Sequence, residues 1–389
     1  MDNQNNQHID VAAIYFPSWH IDPKNEKLHG KGWTEWELLK NAKPLYPGHY
    51  QPRIPSWGYF DEASLEYAEK QIDLAADHGV NVFHVDWYWY ENSPYLQRPL
   101  EEGLLKASNH HRMKFGIMWA NHHWEHIFPM PRTKEKKILL SSEYDSKAMD
   151  DMILYCIENY FSHPSIWKID GKPVVSIFHL NHMVSQIGVE GAKRLFDRFH
   201  QHLSRQGLPD LHLNVMGFYH DVEEHLNELG IMSATHYQTI WDETYGKNIS
   251  DPQNVFDPRS PKQQDFTLSL DRAKAHWEKM GKKLSIPYYP ILTQGWDSSP
   301  RGEQFPEAGK MSGYPWYPVI ENNTPENFER AALMARDFVL DQPAEHKVIY
   351  INAWNEWTEG SYLLPDERYG TLYLEALRRV FVQCKASSV

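Results

Sequence analysis

Eight short apolar runs, rich in β-branched and aromatic residues, recur along the whole chain with helical-period segments between most of them. They are Val11–Phe16, Val80–Trp87, Phe115–Trp119, Val174–Phe178, Leu211–Phe218, Ser233–Thr239, Ile286–Leu292 and Val348–Ala353. Runs of this length suit strands buried on both faces, as parallel sheets require. Helical spacing follows in Leu65, Ala68, Ile72 and Ala75, with Gly79 as the stop. It returns in Met149, Ile153, Cys156 and Tyr160, in Ala192, Leu195, Phe199 and Leu203, and in Leu270, Ala273, Trp277 and Met280. Thr324-Pro325 places an N-cap before a first-turn proline and opens Phe328, Ala331, Ala335 and Phe338, and Leu372, Leu374 and Leu377 begin a closing helix. Eight β/α alternations predict a single α/β domain, a (β/α)8 TIM barrel over residues 9–389 after a flexible N-terminal tail, 1–8. A doubly wound sheet would carry a Gly-rich phosphate turn after an early strand, and none is present.

Segment lengths point the same way. The stretches after strands are long, as at 18–60, 120–144, 240–266 and 295–323, whereas 77–79 and 342–347 lead tightly back to strands. Barrel enzymes build their sites from the loops that follow strands and keep the other face trim.

Composition narrows the function classes. A net charge of −13 argues against a nucleic-acid partner, and no apolar run reaches the length of a membrane span. Residues 1–8 have neither the basic start nor the apolar core of a secretory leader, so a cytoplasmic location is expected for the chain as it stands, and a secreted or periplasmic one if a leader has been removed. Two cysteines, Cys156 and Cys384, make no disulfide framework. Fifteen Trp and 22 Tyr exceed what packing alone needs and suit loops lined with rings, as sugar sites have.

The densest chemistry follows the eighth run, in Asn352-Ala-Trp-Asn-Glu-Trp-Thr-Glu-Gly360. Glu356 and Glu359, wrapped by Trp354, Asn355 and Trp357, would face opposite ways on a continuing strand. On a tight turn, which Gly360 permits, they face one cavity and can divide acid and base work. The first long loop mixes Trp33, Glu35 and Trp36 with Lys43–Pro55. Its rings suit sugar faces and its charges paired hydroxyls, and Arg53 is either a clamp of that kind or a structural pin. Asp86 ends the second run on one face with Tyr88 and Tyr90. After the third run comes Trp119-Ala-Asn121-His122-His-Trp-Glu-His126; its histidines lack the His-Glu-x-x-His spacing, so no metal is expected and His122 is assigned to sugar contact or packing. Tyr219, His236, Tyr237, Trp296 and Asp297, with Arg301 nearby, lie at or past later strand ends.

These motifs carry a resemblance. Ala13-Ile-Tyr15-Phe-Pro17, Gly30–Trp36, Lys43–Arg53, Gly295-Trp-Asp297 and Asn352–Gly360 are similar to the WbsX-type proteins, grouped with glycoside hydrolase family 99, the endo-α-mannosidases and endo-α-mannanases. The resemblance spans nearly the whole chain. It implies a barrel that cleaves an α-manno- or α-rhamno-configured bond with retention, needing no cofactor and taking a glycan as partner. By the family's Asn-Glu-x-x-Glu-Gly element, Glu356 would be the base on the sugar's 2-hydroxyl, leading to a 1,2-anhydro intermediate, and Glu359 the general acid and then base. Tyr15, Trp33, Glu35, Trp36, Asp86, Trp119, Asn121, His122, Tyr219, His236, Tyr237, Trp296, Asp297, Trp354 and Asn355 are the expected substrate contacts. The sequence departs from the WbsX pattern at His122, where an acid is usual. Many WbsX-type proteins carry a glycosyltransferase label, so transfer in O-antigen or capsule synthesis is the alternative, with non-catalytic carbohydrate binding a third; no Asp-x-Asp motif or Gly-rich phosphate loop supports a nucleotide-sugar site.

Overall fold

A computed structural model describes residues 8–133, 137–238, 263–304 and 313–382. The eight runs become eight strands: β1 Ile9–Tyr15, β2 Val82–Tyr90, β3 Lys114–Trp119, β4 Lys172–Ile177, β5 His212–Val215, β6 Ser233–Ala234, β7 Ile291–Thr293 and β8 Lys347–Asn352. Thr239, at the end of the sixth predicted run, lies outside the described residues, as do tail residues 1–7 and Cys384. The strands pair in the order β6-β5-β4-β3-β2-β1-β8-β7, each neighbour parallel.

The remaining seam, β6 to β7, closes the barrel through a parallel bridge between Ala234 and Tyr288. Ala234 N donates to Pro287 O at 2.9 Å, and Tyr289 N donates to Ala234 O at 2.9 Å. Pro287 and Pro290 have no N–H to give a ladder, which breaks the seventh run into this bridge and the three residues that pair with β8. β2 is buried along all nine residues, and β8 along all six, as strands covered on both faces must be.

Helices pack outside. The longer ones are α1 Leu65–Asp77, α2 Ser146–Cys156, α3 Leu180–Arg205, α4 Phe266–Lys283, α5 Pro325–Asp341 and α6 Leu372–Phe381. Their inward stripes are the predicted ones except at two first-turn leucines, Leu65 and Leu372, which are 48% and 49% exposed; Ala68, Ile72 and Ala75 of α1 and Phe328, Ala331 and Ala335 of α5 are buried. Thr324 caps α5 by accepting from Asn327 N. Gly79 turns α1 back into β2 at φ 89°, and an added Cβ there would sit 3.1 Å from Phe381 of α6. A π-helical turn, Pro99–Leu104, stands where a crossover helix between β2 and β3 would be, and it packs on α1.

Candidate active site

The strands' C-terminal ends open on a cavity of about 610 Å³, a size suited to a bound small molecule or a short glycan. Its acidic side comes from β8. Past Asn352 the chain does not continue as a strand: Trp357–Glu359 is a 3-10 turn, and Gly360 takes φ 67°. That turn brings Glu356 and Glu359 to one side, where both line the cavity. The spacing alone had left the two side chains opposed or together, and the turn decides it.

One guanidinium joins them. Arg301, from the loop after β7, donates from Nη1 to Glu359 Oε1 at 2.7 Å, and from Nη2 to the two oxygens of Glu356 at 3.2 and 3.3 Å. It also donates from Nε and Nη2 to Glu35 Oε1 at 3.0 and 2.7 Å. Tyr314 completes the set, donating to Glu359 Oε1 at 2.9 Å. Burial pushes the Glu356 carboxyl well above the carboxylate range. Arg301 pulls it back, while Glu359, Glu35 and Asp86 push it further up. Burial also raises Glu359, against Arg301 and the hydroxyls of Tyr314 and Tyr237. Asp86 is raised well above its ordinary value by burial and by Glu359. Among the described residues one cation, Arg301, serves these buried acids, and burial with their mutual repulsion favours their protonated forms.

Of the expected substrate contacts, Asp86, His122, Tyr219, His236, Tyr237 and Trp296 line this cavity with the two glutamates. Tyr219 is 59% exposed at its rim. Burial lowers His122 to about 4 and His236 to about 3, which leaves both rings neutral.

The others are placed elsewhere, each for a packing reason. Glu35 is fully buried behind the cavity as a partner of Arg301. Tyr15 is in the core, where its hydroxyl accepts from Gln71 at 3.4 Å. Trp354 is fully buried and donates its indole N–H to Gln71 at 2.8 Å. Trp36 lies in an aromatic cluster with Trp19 and donates to Phe60 O at 2.9 Å. Trp33 stacks on His29 at 4.2 Å and meets the edge of Phe128, which lines the cavity in its stead. Trp119 is buried on the outer face of β3, under α2 and α3. Asp297 binds His49 at 2.9 Å and Gln51 at 2.6 Å, with Arg53 at 3.5 Å. Despite complete burial, His49 and Arg53 hold its carboxyl far below the usual range. Arg53 is therefore a pin, and its Nη1 also donates to Gly360 O at 3.0 Å.

Asn355 and Asn121 share another role. Asn355 accepts from Phe16 N at 2.7 Å and donates to Phe16 O at 2.9 Å. Asn121 grips His179 alike, at 2.7 and 3.0 Å. Each amide satisfies both backbone groups of a neighbouring strand's exit, so these two side chains tie the rim together.

Sequence reasoning did not put Arg301 at the centre, nor did it reach Tyr314 or Tyr317, which line the cavity with it. An arginine one turn after Gly295-Trp-Asp297 was the available signal, but its partners are 55, 58 and 266 residues away in the chain. Among the described residues no group of three His, Cys, Asp or Glu side chains converges to hold a metal ion.

A closed eight-strand barrel with paired acids at its C-terminal mouth defines the class: a glycoside-hydrolase-like (β/α)8 barrel. Solved structures share the fold. A family 99 endo-α-mannosidase from Bacteroides thetaiotaomicron aligns with TM-score 0.56 at 14% identity, covering 96% of this chain and 97% of that one. A glycoside hydrolase-like protein aligns with TM-score 0.62 at 15% identity, covering 97% and 95%. The chain belongs to the WbsX family, whose model, described as Glycosyltransferase WbsX, matches residues 11–377. An uncharacterized protein WxcX from Xanthomonas campestris pv. campestris is 24% identical over 383 residues. The match covers 96% of this chain and 50% of that protein, so the chain spans about half the length of this curated relative.

Proposed function

We propose that the protein is a retaining glycoside hydrolase for an α-manno- or α-rhamno-configured bond. The observation that carries the reading is the Glu356–Arg301–Glu359 arrangement, two carboxyls on one guanidinium facing one cavity. Glu356 removes the proton from the sugar's 2-hydroxyl, and that oxygen attacks C1 from the face opposite the leaving group. Glu359 protonates the leaving oxygen. It then takes a proton from water, which opens the 1,2-anhydro ring at C1 and returns the proton from Glu356 to O2. Burial raises both Glu356 and Glu359, and Arg301 lowers both. The chemistry needs the proton on Glu359, and the two Arg301 contacts on Glu356 favour its carboxylate form. Asp86 and Tyr237 line the cavity beside the pair, and in this reading they take hydroxyls of the same sugar.

The test is a panel of α-mannosides, α-rhamnosides and bacterial polysaccharides, read by released reducing ends, with Glu356→Gln and Glu359→Gln alongside. Each variant should lose about 10²–10⁴-fold in turnover; full activity in both defeats the proposal. The family's description favours a second reading, transfer from an activated sugar. A nucleotide sugar raising the melting temperature more than a free oligosaccharide does would support it.

A further inference from the structure

Four imidazoles, His122, His123, His179 and His182, line one wall of the cavity, and the chemistry above uses none of them. All four are half-buried. Their hydrogen bonds determine what they offer. Ser142 N donates to His123 Nδ1 at 3.1 Å, and His182 N donates to His179 Nδ1 at 3.0 Å. A ring nitrogen that accepts carries no proton, so both neutral rings carry theirs on Nε2. His122 is reversed: its Nδ1 lies 2.8 Å from His123 O and donates to it, which leaves Nε2 as a lone pair. The Nε2 of His182 is engaged by Ser142 Oγ at 3.1 Å. The wall thus presents two Nε2–H donors and a third ring that becomes a donor on gaining a proton.

It stands one aromatic ring away from the acids. His122 packs on Tyr88 at 6.2 Å between centroids, and Tyr88 lies in the field of Asp86 and Glu356. On the other side His122 meets Phe178 at 5.5 Å, and Phe178 meets Tyr237 at 5.2 Å, next to Glu359. A sugar at the acids would present a ring substituent, or its neighbouring residue, to this wall. His179 is also the N-cap of α3, whose positive end adds to the donors. Glu125 is the carboxylate on the same wall, and its field favours a proton on His122.

A neutral hydroxyl needs one donor and one acceptor. An oxyanion takes several donors at once and supplies the charge that protonates a nearby ring. We propose that the imidazole wall is a subsite for an oxyanion carried by the glycan, a uronic acid carboxylate or a phosphate ester, bound by Nε2–H of His123 and His179 and by His122. This rests on the glycan reading of the cavity. It is tested by calorimetry of the whole chain with methyl α-D-mannopyranoside, D-mannuronate and D-mannose 6-phosphate. At least one acidic probe should bind about tenfold or more tighter than the neutral sugar, since charge-assisted hydrogen bonds add that much. His123→Gln and His179→Gln should each bring the acid-to-neutral affinity ratio close to one, with melting curves showing that they fold; His122→Gln serves where one does not. Which acid binds tighter names the source of the oxyanion. Equal affinities in the wild type, or an undiminished ratio in the folded variants, overturn the subsite. An acidic preference without glycan cleavage overturns the hydrolase reading alone, and cleavage of neutral glycans without the preference overturns this one alone.

Discussion

Arg301→Met removes the guanidinium that three buried glutamates share while keeping much of the side chain's apolar volume. Breaking a buried ion pair from one side costs about 3–5 kcal/mol, because the abandoned charge stays buried. At about 2.1 cal/mol/K per residue, a chain of 389 residues has an unfolding entropy near 0.8 kcal/mol/K, so the loss is a fall of about 4–6 °C in melting temperature. The pH dependence identifies the cause. Glu356 and Glu359 have folded-state pKa values raised above their unfolded ones, so their contribution is fully present below the ordinary carboxylate value and is lost as pH rises through the folded value. Arg301 lowers both. Without it the folded values rise further, and the loss with rising pH steepens. The pair misses the cation least at the acid end of the range, where it is most protonated, and most at the alkaline end. Melting curves of wild type and variant at pH 5, 6, 7 and 8 should show a gap that widens monotonically. A gap that is constant within 1 °C, or that narrows, would refute the reasoning and leave Arg301 as ordinary packing.

Asp86→Asn removes a buried acid with a raised folded-state pKa, so the variant should melt at or above the wild-type temperature at pH 8 and show a flatter stability–pH curve; a fall at pH 8 counts against it. Asp297→Ala leaves Arg53 and His49 buried without their anion and should cost about 3–5 kcal/mol at pH 7 by denaturant titration. The wild-type contribution of Asp297 has the opposite sign to that of the glutamates: present above the ordinary carboxylate value, and lost as pH falls through its depressed folded value. Gly360→Ala puts a Cβ 2.8 Å from Asp297 N and 2.9 Å from the Arg53 guanidinium at a left-handed φ. It should destabilise by about 1–3 kcal/mol and reduce turnover more than it weakens glycan binding, because it moves Glu359. Thr324→Ala should cost about 1 kcal/mol through its lost cap and leave turnover unchanged.

Periodicity is a local property, and it was enough for the barrel. Each predicted strand and each inward helix stripe reports what one segment must bury, and the eight reports agree on one architecture. The acids after β8 were legible for the same reason, since three residues and a glycine carry the whole turn. Aromatic and polar residues in the loops gave a weaker signal, because a ring facing a sugar and a ring facing the core look alike in sequence; Trp33, Trp36 and Trp354 proved to be of the second kind. Only closure of the barrel determined which charges meet. Arg301 finds Glu35 across 266 residues and Glu356 across 55, and no local pattern encodes a partner at that distance. The sequence by itself determined the scaffold and the position of the two acids; the tertiary structure determined their shared cation, their dry surroundings and hence the upward shift of their pKa values.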